Sequence, residues 1–511
     1  MLILSTAQLR AADALTCHTQ GISSLELMER AALAAADAIE LEIGWSFDHA
    51  GRRIVICCGP GNNGGDGLAV ARLLAPLTGL QVEVWLLPAP HPSSDWQANR
   101  ARLPGAVTVR ELASEADLPS IAADALVVDA LFGTGLTRPL DGLAAALVRH
   151  LNASGARIVS LDLPSGLPTD AAPAPDAAIV QAARTLTFGA PKLSFLLPAT
   201  AGFAGEWEVL DICLDLSQTV GAAHLTQAAD LASLLQPRPK FGHKGTYGHA
   251  LLLAGSRGKL GAAVLAARAC LRAGVGLLTV QVPACGYGVL QTAVPEAMTL
   301  TDPMADHLSA LPDDADLGRY QALGIGPGLG QHPDTALLLR EILDEARHRD
   351  RPTVLDADAL NLLAAHPSWH HHLPARTILT PHPKEFERLA GPASDDFTRL
   401  EKLRAYAADT GAHVLLKGAY SVVATPTGEL HFNSTGNPGM ATGGTGDVLT
   451  GVILALLAQG LSPLDAARLG AFVHGRAGDL AARQHGERGL TASDVAEYVG
   501  RAFRRESELP F

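Results

Sequence analysis

The stretch "RRIVICCGPGNNGGDG", residues 52–67, decides how the first half of the chain is read. An apolar run ends in glycines and leads into "LAVARLLAPL". That reads as strand, tight turn and helix, the opening unit of a parallel α/β sheet. The turn contains G-x-G-x-x-G at Gly59, Gly61 and Gly64. A dinucleotide-binding turn of this kind needs a carboxylate about 20 residues further on, at the end of the second strand, to hold a ribose. The second strand, "LQVEVWLLP", carries Glu83 in its middle and no carboxylate at its end. The fingerprint is incomplete, and the weight moves to "NNGGDG". This half places Asn62, Asn63 and Asp66 on a loop at a strand's C-terminal end. The amides offer donors and acceptors. Asp66 is either a ligand contact or the cap of the next helix.

Working outward, "ALVVDALFG", "RIVSLDLPSG" and "RTLTFGA" are further apolar runs of the sort that parallel sheets bury on both faces. Helical patterns such as "DGLAAALVRHL" separate them, and an Ala-rich helix around "SSLELMERAALAAADAIELE" precedes them. The fold class expected is α/β, beginning with a Rossmann-like doubly wound domain over residues 1–220. A break follows near "SQTVGAAHLTQAADLASLLQPRPKFGHKG", where Pro237 and Pro239 mark a linker. A second α/β domain, residues 228–508, opens with "HALLLAGS" and a helix from about Gly261. It continues through "LLTVQVP", "ALGIGPGLG", "PTVLDADAL", "RTILTPHP" and "HVLLKGAYSVV", with a hairpin at "TPTGE". A Gly-rich loop and a long apolar helix, "GGTGDVLTGVILALLAQG", come last.

Composition narrows the function. A chain of 511 residues allows two to four domains, at roughly 150 residues each. It is 48% hydrophobic and 18% charged, which is the balance of a core-forming protein. The net charge of −13 argues against nucleic acid and anionic membranes as partners. No segment reads as transmembrane, and "MLILSTAQLRAAD" lacks the basic start of a signal peptide. Six cysteines form no C-x-x-C pair, and the adjacent Cys57 and Cys58 point to opposite faces of a buried strand. Reduced thiols in a cytoplasmic protein are expected. The run His370, His371 and His372 reads as a solvated loop. Apolar helices point to a homo-oligomer.

Two more strand ends in the first half carry polar groups. "VVDALFGTGLTRPLDG" puts Asp129 at one, followed by a turn through Gly133 and Gly135; "SLDLPSG" puts Asp162 and Ser165 at another. Ligands of open α/β sheets bind at these ends. Asn63, Asp129 and Ser165 are oxygen donors of the kind that suits a hard cation. With "GISSLELMERAA" in front, these motifs resemble the epimerase domain of the NAD(P)H-hydrate repair enzymes, the YjeF N-terminal family, over roughly residues 1 to 215. The loop begins Gly59-Pro60-Gly61 where the family often has G-N-G. The resemblance implies K+ held by Asn63, Asp129 and Ser165. It implies that a hydrated nicotinamide nucleotide, NADHX or NADPHX, touches Asn62, Asn63, Gly64, Gly65 and Asp66. The same ligand is expected to touch Gly133, Thr134, Gly135, Leu136, Thr137, Arg138 and Pro139. Asp162 also contacts it and is the candidate catalytic acid/base.

In the second half, "GMATGGTGDVLTG" sets glycines before a helix that begins near Asp447. Free N–H groups and the helix dipole make an anion site there, with Asp447 as either a base or a cap. No Walker sequence is present. Taken with "VLDADALNLL", "LTPHPKEFERLAG", "LLKGAYSVV" and "GIGPGLG", this resembles the ribokinase-like superfamily, and within it the ADP/ATP-dependent NAD(P)H-hydrate dehydratases, over roughly residues 230 to 505. The resemblance implies a ribokinase-like α/β fold. Lys417, Gly418, Ala419, Tyr420, Ser421, Asn437, Gly443, Gly444, Thr445 and Gly446 would hold ADP. Ala262, Gly328, His382 and Asp447 would contact the hydrate. Lys417 is a phosphate contact or a solvated lysine. Mg2+ is expected with the nucleotide, and Asp447 is the expected catalytic base. The activity implied is bifunctional: epimerisation of (R)- and (S)-NAD(P)HX, and dehydration of the S form to NAD(P)H with ADP giving AMP and phosphate. The alternative is a ribokinase-like small-molecule kinase with a regulatory N-terminal domain.

Overall fold

The structure is a computed structural model that describes all residues except 45–51, 78, 89–90, 137, 222, 236–237, 313–315 and 505–511. Two units emerge. The first comprises residues 2–221 with 395–397, and the second Met1, 222–394 and 398–511.

The first unit is built on strands β1 (Arg53–Cys58), β2 (Gln81–Leu86), β3 (Thr108–Glu111), β4 (Leu126–Ala130), β5 (Arg157–Leu161), β6 (Arg184–Phe188) and β7 (Glu206–Leu210). They form one seven-stranded sheet in the order β3-β2-β1-β4-β5-β6-β7. Every pairing is parallel. This is the doubly wound order, whose direction reverses between β1 and β4 and opens a crevice at their C-terminal ends. Alternation across β1 sends Cys58 into the core under the helices Ser24–Ile43 and Asn62–Leu74. Cys57 goes to the opposite core, under the helix Gly142–Ala153. Both thiols are fully buried and free. Glu83 is taken up inside the sheet by Arg53, Trp85 Nε1 and Arg110 at 2.5, 2.8 and 3.2 Å. It cannot serve a ribose.

The "NNGGD" segment is helix, not loop. The helix Asn62–Leu74 starts one residue after Gly61, its N-cap, so Asp66 is the fifth helical residue and not the cap. The glycines set this start. A Cβ at Gly59 would lie 1.8 Å from Leu131 O, and one at Gly64 would lie 1.9 Å from Gly59 O. Only glycine lets the strand end, the turn and the first helical turn stack this closely.

The second unit adds β8 (Ala223–Thr226), β9 (His249–Leu253), β10 (Leu277–Val282), β11 (Met298–Thr301), β12 (Ala322–Ile325), β13 (Thr353–Leu355), β14 (Thr377–Leu379), β15 (His413–Leu416), β16 (Val422–Ala424) and β17 (Leu430–Asn433). Their order is β8-β17-β16-β15-β14-β13-β12-β9-β10-β11. The pairings are parallel except at the hairpin, β15/β16 and β16/β17. The stretch read as a linker contains β8, which pairs in parallel with β17. The helices Leu260–Arg272, Thr445–Ala458 and Pro463–His485 cover one face and fill the main core. His370, expected in a solvated loop, is buried. Its Nε2 lies 3.0 Å from Leu363 O, and its ring meets Tyr406 edge-on. Among the described residues, no helix is long and apolar enough to cross a membrane.

Candidate active sites

The crevice between β1 and β4 is a cavity of about 880 Å³. It brings together Asn62, Asn63, Asp66, Gly133, Thr134, Gly135, Leu136, Arg138 and Asp162. Gly64 and Gly65 lie buried behind this wall, packed on Gly59 and Met28, and Pro139 is exposed outside it. Thr137 lies outside the described residues.

Asp162 sits just past β5 with φ 64°, a left-handed conformation that is rare for residues other than Gly, Asn and Asp. The turn aims its carboxylate back to the sheet. Lys192, with a side chain 0% exposed, donates to Asp162 Oδ1 at 2.6 Å and to Thr187 Oγ1 at 2.5 Å. The other carboxylate oxygen, Oδ2, lies 3.1 Å from where a Gly133 Cβ would stand, which leaves little room there for any other residue. The sequence reading missed Lys192. Its signal was one charge in the apolar segment "GAPKLSFLL".

Asp13 and Asp95 also line the cavity, and both were missed. Asp13 is on the helix Thr6–Gln20, beside its buried positions Leu9, Ala12 and Thr16. A carboxylate next to the apolar stripe was the available clue. Burial, reinforced by Asp162, pushes Asp13 up to about 6. Burial with Asp162, Asp13 and Asp95 nearby drives Asp66 well above the usual carboxylate range. These groups hold protons where exposed carboxylates have lost them.

Asp13 therefore opposes folding at neutral pH. Its folded value exceeds the unfolded 3.8. The stability it allows is present below that unfolded value and is lost as the pH rises through about 6. Asp13→Asn is expected to raise the unfolding midpoint at pH 8 by a few degrees and to change little at pH 4. Melts at the two pH values check this; a lower midpoint for the variant at pH 8 would contradict it.

Asp129 and Ser165 lie beneath the cavity, fully buried. Asp129 accepts from Ser165 Oγ at 2.5 Å, and from Ser165 N and Ser160 Oγ at 2.8 Å each. Burial raises Asp129 above the usual carboxylate range, although these donors pull the other way. None of the donors is charged. Ser165 Oγ also lies 3.1 Å from Phe132 O. Asn63 lines the cavity wall, and its buried Nδ2 has no hydrogen-bond partner among the described residues. The structure joins Asp129 to Ser165, while Asn63 bonds to neither. A buried carboxylate with no charged partner and the oxygens clustered around it fit a monovalent cation, which Asn63 would meet through Oδ1 and not through its free Nδ2.

In the second unit a cleft of about 420 Å³ gathers Ala262, Gly328 and Asp447 from the expected set, and adds Lys259, Asp358 and Glu385. The helix Thr445–Ala458 starts two residues before Asp447. Its N-cap is Gly444, at φ 94°, so Asp447 is not the cap. Burial and the neighbouring Asp356 push Asp447 up to about 7 against the pull of Lys417.

Lys417 is not a solvated lysine. Its ammonium contacts Asp356 at 2.7 Å and lies 3.9 Å from Glu385. Thr450 donates to the other oxygen of Asp356, also at 2.7 Å. Gly446 passes so close that a Cβ there would lie 3.4 Å from Lys417 Nζ. Asp358 holds Gly330 N at 2.9 Å and Lys259 Nζ at 3.1 Å. Between the two aspartates, Ala357 takes φ 51°, a strained value for alanine that turns them to different tasks.

His382 caps the helix Pro383–Ala390. Its Nδ1 accepts from Lys384 N and Glu385 N, so a neutral ring carries its proton on Nε2, 3.4 Å from Glu385 Oε1. Burial lowers its proton affinity. Gly418 N donates to Ser421 Oγ at 3.2 Å, closing a turn that exposes Ala419. Asn437 Nδ2 and Gly436 N both donate to Asp479, which fixes the start of the loop running to Gly446. Asp356, Asp358, Glu385 and Asp479 went unassigned in the sequence, although "VLDADAL" and "PHPKE" contain three of them.

Fold and clefts define a two-unit α/β enzyme, with an acidic cavity at the strand switch of one unit and a carboxylate–lysine cleft at a Gly-rich helix start in the other. Residues 24–194 match the family model described as YjeF-related protein N-terminus, and residues 250–501 match NAD(P)H-hydrate dehydratase. The bifunctional NAD(P)H-hydrate repair enzyme Nnr of Moorella thermoacetica is 40% identical over 526 residues, 99% of this chain and 98% of that protein. The protein of the same name from Escherichia coli is 36% identical, over 95% of this chain and 91% of that one. A solved ADP/ATP-dependent NAD(P)H-hydrate dehydratase from Bacillus subtilis, co-crystallized with ATP/Mg2+, aligns at 32% identity and a TM-score of 0.47, covering 55% of this chain and 97% of its own. The chain belongs to the bifunctional NAD(P)H-hydrate repair enzyme family.

Proposed function

We propose that this chain repairs hydrated nicotinamide nucleotides, with a YjeF-type epimerase over residues 1–220 and a ribokinase-like dehydratase over residues 228–508. The observation that carries this reading is the presence of two separate polar clefts, one in each matched region, each containing a carboxylate held above its usual range. Homologues of the same bifunctional name along the whole chain support it.

In the epimerase cavity, Asp162 is the acid/base, with Asp13 and Asp66 as proton-holding neighbours. A proton passes to the C6 hydroxyl, water leaves, and the ring nitrogen lone pair makes a planar cation. Water adds to the opposite face and returns the proton. Asn62, Asn63, Asp66, Gly133, Thr134, Gly135, Leu136 and Arg138 are the proposed contacts that hold the nucleotide. Asn63, Asp129 and Ser165 would hold K+, which supplies positive charge under the cavity floor.

In the dehydratase cleft, Asp447 takes the C6 hydroxyl proton. The oxygen attacks the terminal phosphorus of ADP and AMP leaves. The ring nitrogen lone pair then expels phosphate, and loss of a C5 proton restores the dihydropyridine. Lys417 to Ser421 and the Asn437–Gly446 loop are the proposed nucleotide contacts; Ala262, Gly328 and His382 are the proposed contacts of the hydrate. With Asp447 kept for the proton, the cleft carboxylates Asp358 and Glu385 would be left to hold Mg2+, which would neutralise the transferring phosphoryl charge. Self-association and a cytoplasmic setting belong to the same reading.

The test supplies both C6 epimers of NADHX with ADP and Mg2+ and follows the reduced nicotinamide absorbance. Complete conversion, faster than spontaneous epimerisation, is expected, with AMP and phosphate as products. Conversion that stops at the fraction of one epimer removes the epimerase. A stable phosphorylated product would mean a kinase.

A further inference from the structure

His307, His332 and Asp334 meet in the second unit outside the cleft just described. Asp334 Oδ2 lies 3.1 Å from His307 Nε2 and 3.4 Å from His332 Nδ1. All three ligand atoms are within 4.8 Å of one another. The imidazole rings stack with centroids 3.8 Å apart and 24° between their planes, so one ring must swing out of the stack for both nitrogens to face one ion. We propose that these residues form a binding site for a first-row divalent cation, zinc foremost, with two imidazoles and one carboxylate as protein ligands and water completing the shell.

The dimensions fit. Zinc holds nitrogen and oxygen ligands at about 2.0–2.2 Å in a tetrahedron, so neighbouring ligand atoms stand about 3.4 Å apart. Both separations to Asp334 are close to that edge. The donor chemistry also discriminates. Imidazole suits zinc, nickel and copper, whereas K+ and Mg2+ prefer oxygen alone, so this site differs in kind from the ion sites of the repair chemistry. His307 is mostly covered, at 15% side-chain exposure, while His332 and Asp334 are 48% and 46% exposed. That leaves one side open for water.

The backbone around the site is already tied down. His307 rides on the loop after β11, which Asp302 organises from within. That carboxylate, 1% exposed, accepts from Met304 N, Ser309 N and Ala310 N at 2.8, 2.6 and 3.1 Å. Thr335 Oγ1 donates to Leu308 O at 2.6 Å, which ties this loop to the helix Pro333–His348 that carries Asp334. His332 caps that helix, and its Nδ1 accepts from Asp334 N at a long 3.2 Å. A metal would take this nitrogen over from a weak bond.

The site also borders the dehydratase cleft. Arg257, next to the cleft residues Gly258 and Lys259, pairs with Asp306 at 2.6 Å. His332 follows closely on Gly328 and Gly330. A bound ion would therefore stiffen the cleft rim, and binding itself does not depend on the repair function.

The full chain, stripped with a chelator, is titrated with Zn2+ against a chromophoric competitor and with Co2+ by visible absorption. One tight Zn2+ per chain is expected. His307→Ala and Asp334→Asn should each weaken it at least about tenfold, the loss that removing even an outer-shell partner brings. The double variant His371→Ala/His372→Ala should retain it, which excludes the histidine run as the binder. Zn2+ should raise the unfolding midpoint of the wild type and not of Asp334→Asn, a near-isosteric change that guards against misfolding. Equal affinity in wild type and both triad variants overturns the site, as does absence of Zn2+ binding by the wild type.

Discussion

Asp447→Asn is expected to lower ADP-dependent dehydration about a thousandfold or more while epimerisation proceeds unchanged. A positioned general base typically contributes about 10²–10⁴ in rate. Here the same residue also stands in the first turn of the helix that would receive phosphate. The amide is nearly isosteric, so the change removes proton affinity without opening a hole. The wild-type pH profile should carry the same signature. Burial and Asp356 push Asp447 up to about 7, and only its ionised form accepts a proton. Dehydration should therefore fall as pH drops below about 7. Stability should run the opposite way. The raised value favours the protonated fold, so this contribution is present below the unfolded value of 3.8 and is lost as pH rises through about 7. Rates of the purified S epimer with ADP across pH 5–9, for wild type and variant, measure both effects. Retained dehydration in Asp447→Asn would remove this residue as the base.

Asp162→Asn should damage the other unit twice. Asparagine accepts the φ of 64° at least as well as aspartate, so the backbone is not the problem. Lys192 is. Its ammonium is buried and faces Asp162 at 2.6 Å. Removing one partner of a buried pair typically costs about 3 kcal/mol or more, because the survivor keeps its charge without compensation. Epimerisation above the spontaneous rate should fall at least about a hundredfold, while dehydration of the S epimer persists. Asp162→Asn/Lys192→Met should recover much of the stability and none of the epimerisation. Full epimerase activity in Asp162→Asn would end the assignment of the acid/base to this residue.

Central strands were legible in the sequence because parallel sheets bury both faces, and runs such as "RIVICC" have no polar interruption. Short strands were not. Thr108–Glu111 is short and mostly exposed, and Ala223–Thr226 is hidden in a stretch that reads as linker. "NNGGD" was misplaced on a loop because Asn and Gly are turn formers by local preference. The close stacking of Gly59 and Gly64 overrides that preference, and it is a tertiary fact. The site followed the same division. Residues inside dense motifs, such as Asn63, Asp162 and Asp447, do line the clefts. Their partners Lys192, Asp13, Asp356 and Glu385 come from separate elements, and pairing across the fold leaves little local trace.

The ties around the cavity of the first unit share one property. Asp162 to Lys192 spans 30 residues, Asp129 to Ser160 spans 31, and Asp129 to Ser165 spans 36. Each is about one strand–crossover–strand repeat. The consequence is kinetic. Loop-closure entropy for the site is met in equal, moderate instalments and not in one closure across the whole unit. The pocket can mature outward with the sheet, and its charge balance is complete only after the segment bearing Lys192 has docked.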